Sequence, residues 1–401
     1  MLPFGYGTNL HAAETVDEVI AFLTAFTAPL RVRLGWNRIG VDLRLGSQAI
    51  AELAAPARVA ALRRALDAAG ASAHTINAFP LRPFQAAVVK DDAYRPDWTD
   101  AERARDTAAL IPIALALSDE PLVTISTVPG SFRPFGPRAN NVAMIAAALG
   151  RWAAQAAVAK RDTGRRVVLA LEPEPWCLLE TSHDAAAFWR GPLMSAGVVA
   201  ATPLLGDALA ARSAVERHLG LCFDTCHTSL AFEDQAAAVA RLVAAGVPIV
   251  KCQFSAAPEV RDPSWDTAGV AALRALAEPR FLHQTCAVSA SGSLSRVRDL
   301  DELDACLARL PSAVAVRSHF HVPVDRAATV SGLSSTIADS LAGLHACRAA
   351  GCTHVAVETY TWPVLGGDAL AGTERELRAL ERAWHASGLP DFRTSGLPDG
   401  R

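Results

Sequence analysis

With 401 residues, 51% of them hydrophobic and 20% charged, the chain can bury a large core, and its composition excludes wholesale disorder. A formal net charge of −3 offers no basic footprint for nucleic acid or an anionic membrane. Eight scattered cysteines, none in a CxxC pair, argue against a disulfide framework. No leader-like segment opens the chain and no run of about 18 uncharged apolar residues interrupts it, so no membrane span is predicted and the expected setting is cytoplasmic.

In chain order, short apolar runs alternate with longer Ala/Leu/Arg-rich helical stretches, the pattern of a parallel sheet with crossover helices. The predicted strands begin with "FGYGTNLH" from Phe4, "RVRLGW" from Arg31, "SAHTINAF" from Ser72 and "PLVTIST" from Pro121. Four more follow: "RVVLALE" ending at Glu172, "LGLCFD" ending at Asp224, "PIVKCQF" ending at Phe254 and "THVAVE" ending at Glu358. Between them, "PARVAALRRALDAAGA", "NVAMIAAALGRWAAQAAVAKRDTG", "QAAAVARLVAAG" and "SSTIADSLAGLHACRAAG" read as helices, the last three with a glycine stop.

Eight strand and helix units predict an α/β fold, a (β/α)8 TIM barrel, as a single domain over residues 1–390 with a loose tail at 391–401. Two segments exceed the minimal barrel. One is a Pro- and aromatic-rich loop at 80–100, after the third strand. The other is an insertion at 280–325, between the seventh and eighth strands, with two strand-like runs, "RFLHQTCAV" and "AVAVRSHFHVPV". Long loops after barrel strands build active sites.

Glu172, Asp224 and Glu358 each end an apolar run, at the end of the strand where barrels place catalytic groups. One such acid is ordinarily a surface residue. Three of them, with His227 three residues past Asp224, point to a metal site, because buried acids need a partner. His319 and His321 are two apart in an extended run and so share a face, as paired ligands would; two surface histidines on an edge strand are the alternative. Glu174 lies two residues beyond Glu172 in "EPEPW", and of the two Glu172 is the expected ligand because it directly ends the strand.

His11, Asn77, Lys251, Gln253 and His283 sit at or near predicted strand ends and are candidate substrate contacts, each with a structural alternative: a hydrogen-bonded histidine, a turn asparagine, or a lysine in the barrel interior. Tyr94, Arg95 and Trp98 either cover a substrate or pin their own loop. Neither GxxxxGK[ST], a helix-opening GxGxxG, nor GxSxG occurs, which removes support for nucleotide folds and serine hydrolases.

Asp-Thr-Cys-His at the sixth strand, flanked by strand-ending glutamates, resembles the xylose-isomerase-like TIM-barrel superfamily of sugar isomerases, epimerases and apurinic endonucleases. Over nearly its full length the chain looks most like one branch, the EboE metabolite traffic proteins, through "YGTNLH", "TINAFP", "VVKDDAYRPDW", "ISTVPGSF", "LEPEPWCLLET", "CFDTCHTSLAFED", "FLHQT", "HFHVPV" and "VETYTWPVL". That resemblance implies a bacterial gene cluster for making or moving a secondary metabolite. It implies metal ligands at Glu172, Asp224, His227 and Glu358, with His319 and His321 as counterparts of an Asp-x-His in the endonuclease branch. The sequence departs from that branch at the seventh strand, where Lys251 and Gln253 stand in place of a histidine, so a one- or two-metal site is expected rather than three.

The leading expectation is a metal-dependent isomerase or epimerase of a sugar-like metabolite, with Glu172 or Glu358 moving the proton. The alternatives are metal-assisted hydrolysis, including phosphodiester cleavage, and non-catalytic metabolite binding. Mixed imidazole and carboxylate ligands suit zinc or manganese first, then iron or magnesium.

Overall fold

The computed structural model describes residues 4–138, 140–327 and 333–386; the tail expected at 391–401 lies outside them. The barrel begins with seven strands: β1 (Phe4–Gly7), β2 (Ile39–Arg44), β3 (Ala71–Asn77), β4 (Leu122–Thr127), β5 (Arg166–Leu171), β6 (Leu219–Asp224) and β7 (Ile249–Phe254). Five more strands leave the barrel: β8 (Pro258–Arg261), β9 (Thr285–Ser289), β10 (Leu294–Val297), β11 (Ala313–Ser318) and β12 (Ser334–Ser335). β13 (His354–Val357) then returns between β7 and β1 and closes the ring, with all eight barrel strands parallel and almost wholly buried. Burial on both faces explains why these strands read as near-continuous apolar runs.

One strand differs from expectation. "RVRLGW" belongs to the helix Ala28–Leu34, and the second strand is "IGVDLR". The alternation of arginine with valine and leucine imitates a strand, yet Leu30 and Leu34, four apart, are buried while Val32 is 66% exposed, which is helical spacing. Gly35 ends that helix with φ 70°, a left-handed conformation that favours glycine.

The helix Val142–Thr163 is long and apolar enough to cross a membrane by length and composition alone. Its Ile145, Leu149, Trp152 and Ala153 are buried in the main core, as in the outer layer of a barrel.

The insertion is wider than 280–325. It starts at β8, only three residues beyond β7, and forms an antiparallel sheet in the order β10-β9-β11-β8-β12. That sheet has its own core, including Val260, Leu273, Leu303 and Val316. The loop at 80–100 is fastened at its base by the buried Arg103, which donates to the carbonyls of Ala78, Phe79 and Pro96.

Polar groups cross the barrel interior. The Lys251 ammonium on β7 donates to Asp42 on β2 at 2.7 Å and to Ser126 on β4 at 2.8 Å, and neither strand neighbours β7. Thr124 on β4 reaches His354 on β13 in the same way, at 2.8 Å. Lys251, expected to contact substrate, is therefore an interior residue whose charge answers a buried carboxylate. Removing one partner of a buried pair leaves the other charge uncompensated. Lys251→Met should destabilise the fold by about 3–5 kcal/mol in denaturant unfolding. The double change Asp42→Leu with Lys251→Met should recover a large part of that loss, and equal effects of the single and double variants would contradict the pairing.

Candidate metal centre

Asp224 closes β6 and at once caps the short helix Thr225–Leu230, its Oδ1 accepting from the backbone N–H of Cys226 (2.7 Å) and His227 (3.1 Å) and from the Ser255 hydroxyl (2.9 Å). The cap makes the strand turn directly into a helix, so His227, one turn along, faces the same mouth. Asp224 Oδ2 is buried without a hydrogen-bond partner, and so is Glu172 Oε2, just past β5.

Three imidazoles meet there. His319 and His321 follow β11, and their Nε2 atoms are 3.3 Å apart; His321 Nε2 is 3.4 Å from His227 Nε2. Each ring's Nδ1 has an oxygen partner: Pro173 O for His227 (2.9 Å), Gln284 Oε1 for His319 (2.7 Å) and Glu358 O for His321 (2.6 Å). With Nδ1–H donating to these oxygens, the Nε2 atoms of neutral rings point lone pairs at one another, an arrangement a proton or a cation must relieve. Glu174 completes this side, its Oε2 lying 3.0 Å from His227 Nε2 and its Oε1 accepting from the Tyr94 hydroxyl at 3.0 Å.

The protonation preferences agree with this picture. Burial pushes His319 well below the usual imidazole range and His321 down to about 4, so both are neutral donors at neutral pH. Burial opposes charge on His227 as well, but Asp224, Glu174 and Glu172 outweigh it and hold that ring's pKa well above the usual value. Burial raises Glu172 to about 8. Glu358 is raised well above a normal carboxyl, first by burial and then by Glu172 and Asp224. Asp224 is held below its ordinary value: burial works against ionisation, and the charge of His227 prevails together with the hydrogen bonds from the His227 N–H and the Ser255 hydroxyl.

Among the described residues the donors fall into three overlapping groups; one joins Asp224, Cys226 and His321, and the other two share His227. In the first of those two, ligand atoms of Glu172, Asp224 and His227 lie within 4.8 Å of one another; in the second, those of His227, His319 and His321 do. Orphaned carboxylate oxygens and converging lone pairs fit a divalent cation, and the donor set is the imidazole and carboxylate mixture such ions take.

Glu358 stands differently. Its carboxylate accepts from the side-chain amides of Asn9 (2.8 Å), Asn77 (3.3 Å) and Gln253. Gly7 makes room for this, since a Cβ there would lie 2.8 Å from Asn9 Oδ1 and 3.3 Å from Glu358 Cγ. Glu358 and Asn77 both line a small cavity of about 50 Å³ at the barrel mouth, together with Glu172, Glu174, His227, His319 and His321.

Other expected contacts do not line that cavity. Gln253 is held between Cys222 and Glu358. His11 stacks on Phe22 with ring centroids 4.3 Å apart and bonds the Tyr6 hydroxyl. His283 is buried with both nitrogens engaged, by His319 O at 2.8 Å and Glu278 at 2.9 Å; it supports the His319 backbone instead. Of the loop residues, Tyr94 lines the cavity and stacks on Phe132, Trp98 is buried and donates to Thr127, and Arg95 lies over Phe135. Asn9 and Gln284 had no prior assignment. Gln284 joins two loops, accepting from His319 and donating to the Tyr94 hydroxyl at 2.6 Å.

No family model matches the sequence, and no curated protein matches it. Among solved structures, the chain is similar to a xylose isomerase-like TIM barrel protein from Mycobacterium smegmatis in complex with magnesium, at 12% identity over 96% of this chain and 98% of that chain, with a TM-score of 0.53. It is also similar to an L-ribulose 3-epimerase (13% identity, all of both chains, TM-score 0.48) and to the IOLI protein with a binding zinc atom (10% identity, 96% and 97%, TM-score 0.45). At such identities the likeness to the first of these shows the fold alone, a closed parallel TIM barrel.

Groups that orient ligand imidazoles typically change metal affinity by about 10–100-fold when removed. Gln284→Ala should weaken zinc or manganese binding by that factor in a competitive chelator titration. An affinity within twofold (about) of the parent would mean that His319 needs no such support.

Proposed function

We propose that the protein is a metal-dependent isomerase or epimerase of a small sugar-like or polyhydroxylated metabolite, in the EboE branch and so linked to making or moving a secondary metabolite. The observation that supports it most is the convergence of three imidazole Nε2 atoms with buried carboxylates at the mouth of the barrel. Glu172, Asp224, His227, His319 and His321 would hold a divalent cation, with Glu174 beside them; zinc or manganese suits them best, then iron or magnesium. When bound, such a cation supplies Lewis acidity toward neighbouring hydroxyl and carbonyl oxygens.

The chain's own groups then handle the proton. Epimerisation needs one group to remove a proton from carbon and another to return it, and cavity-lining carboxyls on two different strands, Glu172 and Glu358, meet that need. Burial raises both in the metal-free protein. Glu358, which is in none of the ligand groups, is the one of the two placed to hold a proton near neutral pH with a cation bound. The amides of Asn9 and Asn77 fix the Glu358 carboxylate, and its place outside those groups favours proton transfer over metal ligation for it. Glu358, expected as both base and ligand, is assigned here to the first role.

Phosphodiester cleavage is less well supported. Lys90 is the one Lys or Arg among the described residues lining the cavity, and it is already paired with Asp299 at 2.6 Å. We assign a small metabolite, not nucleic acid, as the partner, and the cytoplasm as the setting.

The test is elemental analysis of the purified protein, followed by solvent-deuterium exchange into a panel of ketoses. Uptake at a carbon next to the carbonyl is expected, with a loss of about 10²–10⁴-fold in Glu358→Gln at retained metal content. Full metal occupancy without uptake across the panel would point to a binding protein instead.

A further inference from the structure

The cavity that holds the acids and imidazoles has a second kind of wall. Phe84, Val89, Phe281 and Tyr360 form an apolar cluster separate from the main core, and all four line the cavity. The three rings touch edge to face or tilted, with centroids 5.0 Å apart for Phe84 and Phe281, 5.1 Å for Phe84 and Tyr360, and 4.9 Å for Phe281 and Tyr360. They come from three places in the chain: the loop after β3, the insertion, and the turn after β13. The cluster starts beside the reacting groups, for the Tyr360 ring is 4.6 Å from that of His321.

A site for a free sugar needs hydrogen-bonding groups along the length of its ligand, since each buried hydroxyl left unpaired is costly. Here the acids, amides and imidazoles share the lining with Phe79, Phe84, Val89, Phe281 and Leu282, so much of the wall is ring and aliphatic carbon. Charge narrows the choice further. The Lys90 ammonium is taken by Asp299 at 2.6 Å and by the Glu278 carbonyl at 3.1 Å, while Glu172, Glu174 and Glu358 line the same space. Apart from the metal ion assigned above, no uncommitted lysine or arginine among the described lining residues answers a phosphate or carboxylate on the substrate.

We infer that the substrate is an uncharged hydroxyketone or polyol carrying an aromatic ring, the ring lying against Phe84, Phe281 and Tyr360. The oxygen-bearing end of this assignment rests on the isomerase reading above; the ring end rests on the aromatic wall.

The manganese-loaded protein is titrated calorimetrically with phenacyl alcohol, with dihydroxyacetone and with fructose phosphate. Phenacyl alcohol joins a phenyl ring to the hydroxyketone group that dihydroxyacetone has without one. Burying the ring should make it bind at least about tenfold more tightly than dihydroxyacetone, with fructose phosphate the weakest. In Phe281→Ser, and more mildly in Phe84→Leu, the ratio of the first two affinities should fall toward one. The parent ratio decides the matter even where a variant fails to fold. A ratio near one in the parent protein, no binding of phenacyl alcohol, or preference for the phosphate overturns the inference. The same probes in deuterium oxide keep the two claims apart: tight phenacyl alcohol binding with no deuterium uptake leaves the ring assignment standing and removes the isomerase, and uptake without ring preference does the reverse.

Discussion

The structure turns on the cost of placing several ionisable groups in one dry space. Glu172, Glu174, Asp224 and Glu358 are buried at the same mouth as His227, His319 and His321. An isolated buried carboxylate is expensive, and adjacent ones raise each other's proton affinity. Much of the neighbouring architecture answers that cost. Lys251 lies beneath with its own acid, three amides surround Glu358, and Asp224 spends one oxygen on a helix cap. What stays unanswered is an oxygen of Glu172 and an oxygen of Asp224, beside the facing Nε2 atoms of His319 and His321, the places where a cation would satisfy several groups at once.

Much of this was legible in the residues. A parallel barrel gathers the C-terminal ends of its strands at one face, so acids closing three separate apolar runs had to approach one another once the ring closed. Period two placed His319 and His321 together for a similar reason. Legibility failed where local pattern and tertiary role parted company. "RVRLGW" alternates like a strand, yet its buried face follows a helical repeat and the true strand has an aspartate in its middle, Asp42, which only the distant Lys251 explains. His11, His283 and Gln253 stand near the right ends of the right segments, but packing turns them toward Phe22, Glu278 and Cys222. Gln284 and Asn9 act through partners far away in sequence, His319 and Glu358, and spacing carries no trace of such pairs.

The cavity also draws on two kinds of chain segment. Barrel strands and the turns just beyond them supply Glu172, Asp224 and Glu358, where backbone position is dictated by the ring. The loop after β3 and the insertion supply the rings of Phe84 and Phe281. The division is not strict, since the insertion also brings His319 and His321 and the turn after β13 brings Tyr360.

His319 and His321 are carried by the small antiparallel sheet, whereas His227 belongs to the barrel. The ligand sphere therefore does not exist in either unit alone; it comes into being when a second, separately cored module docks on the first. An ion bound there would rivet the two modules together, and its retention would report that assembly is complete.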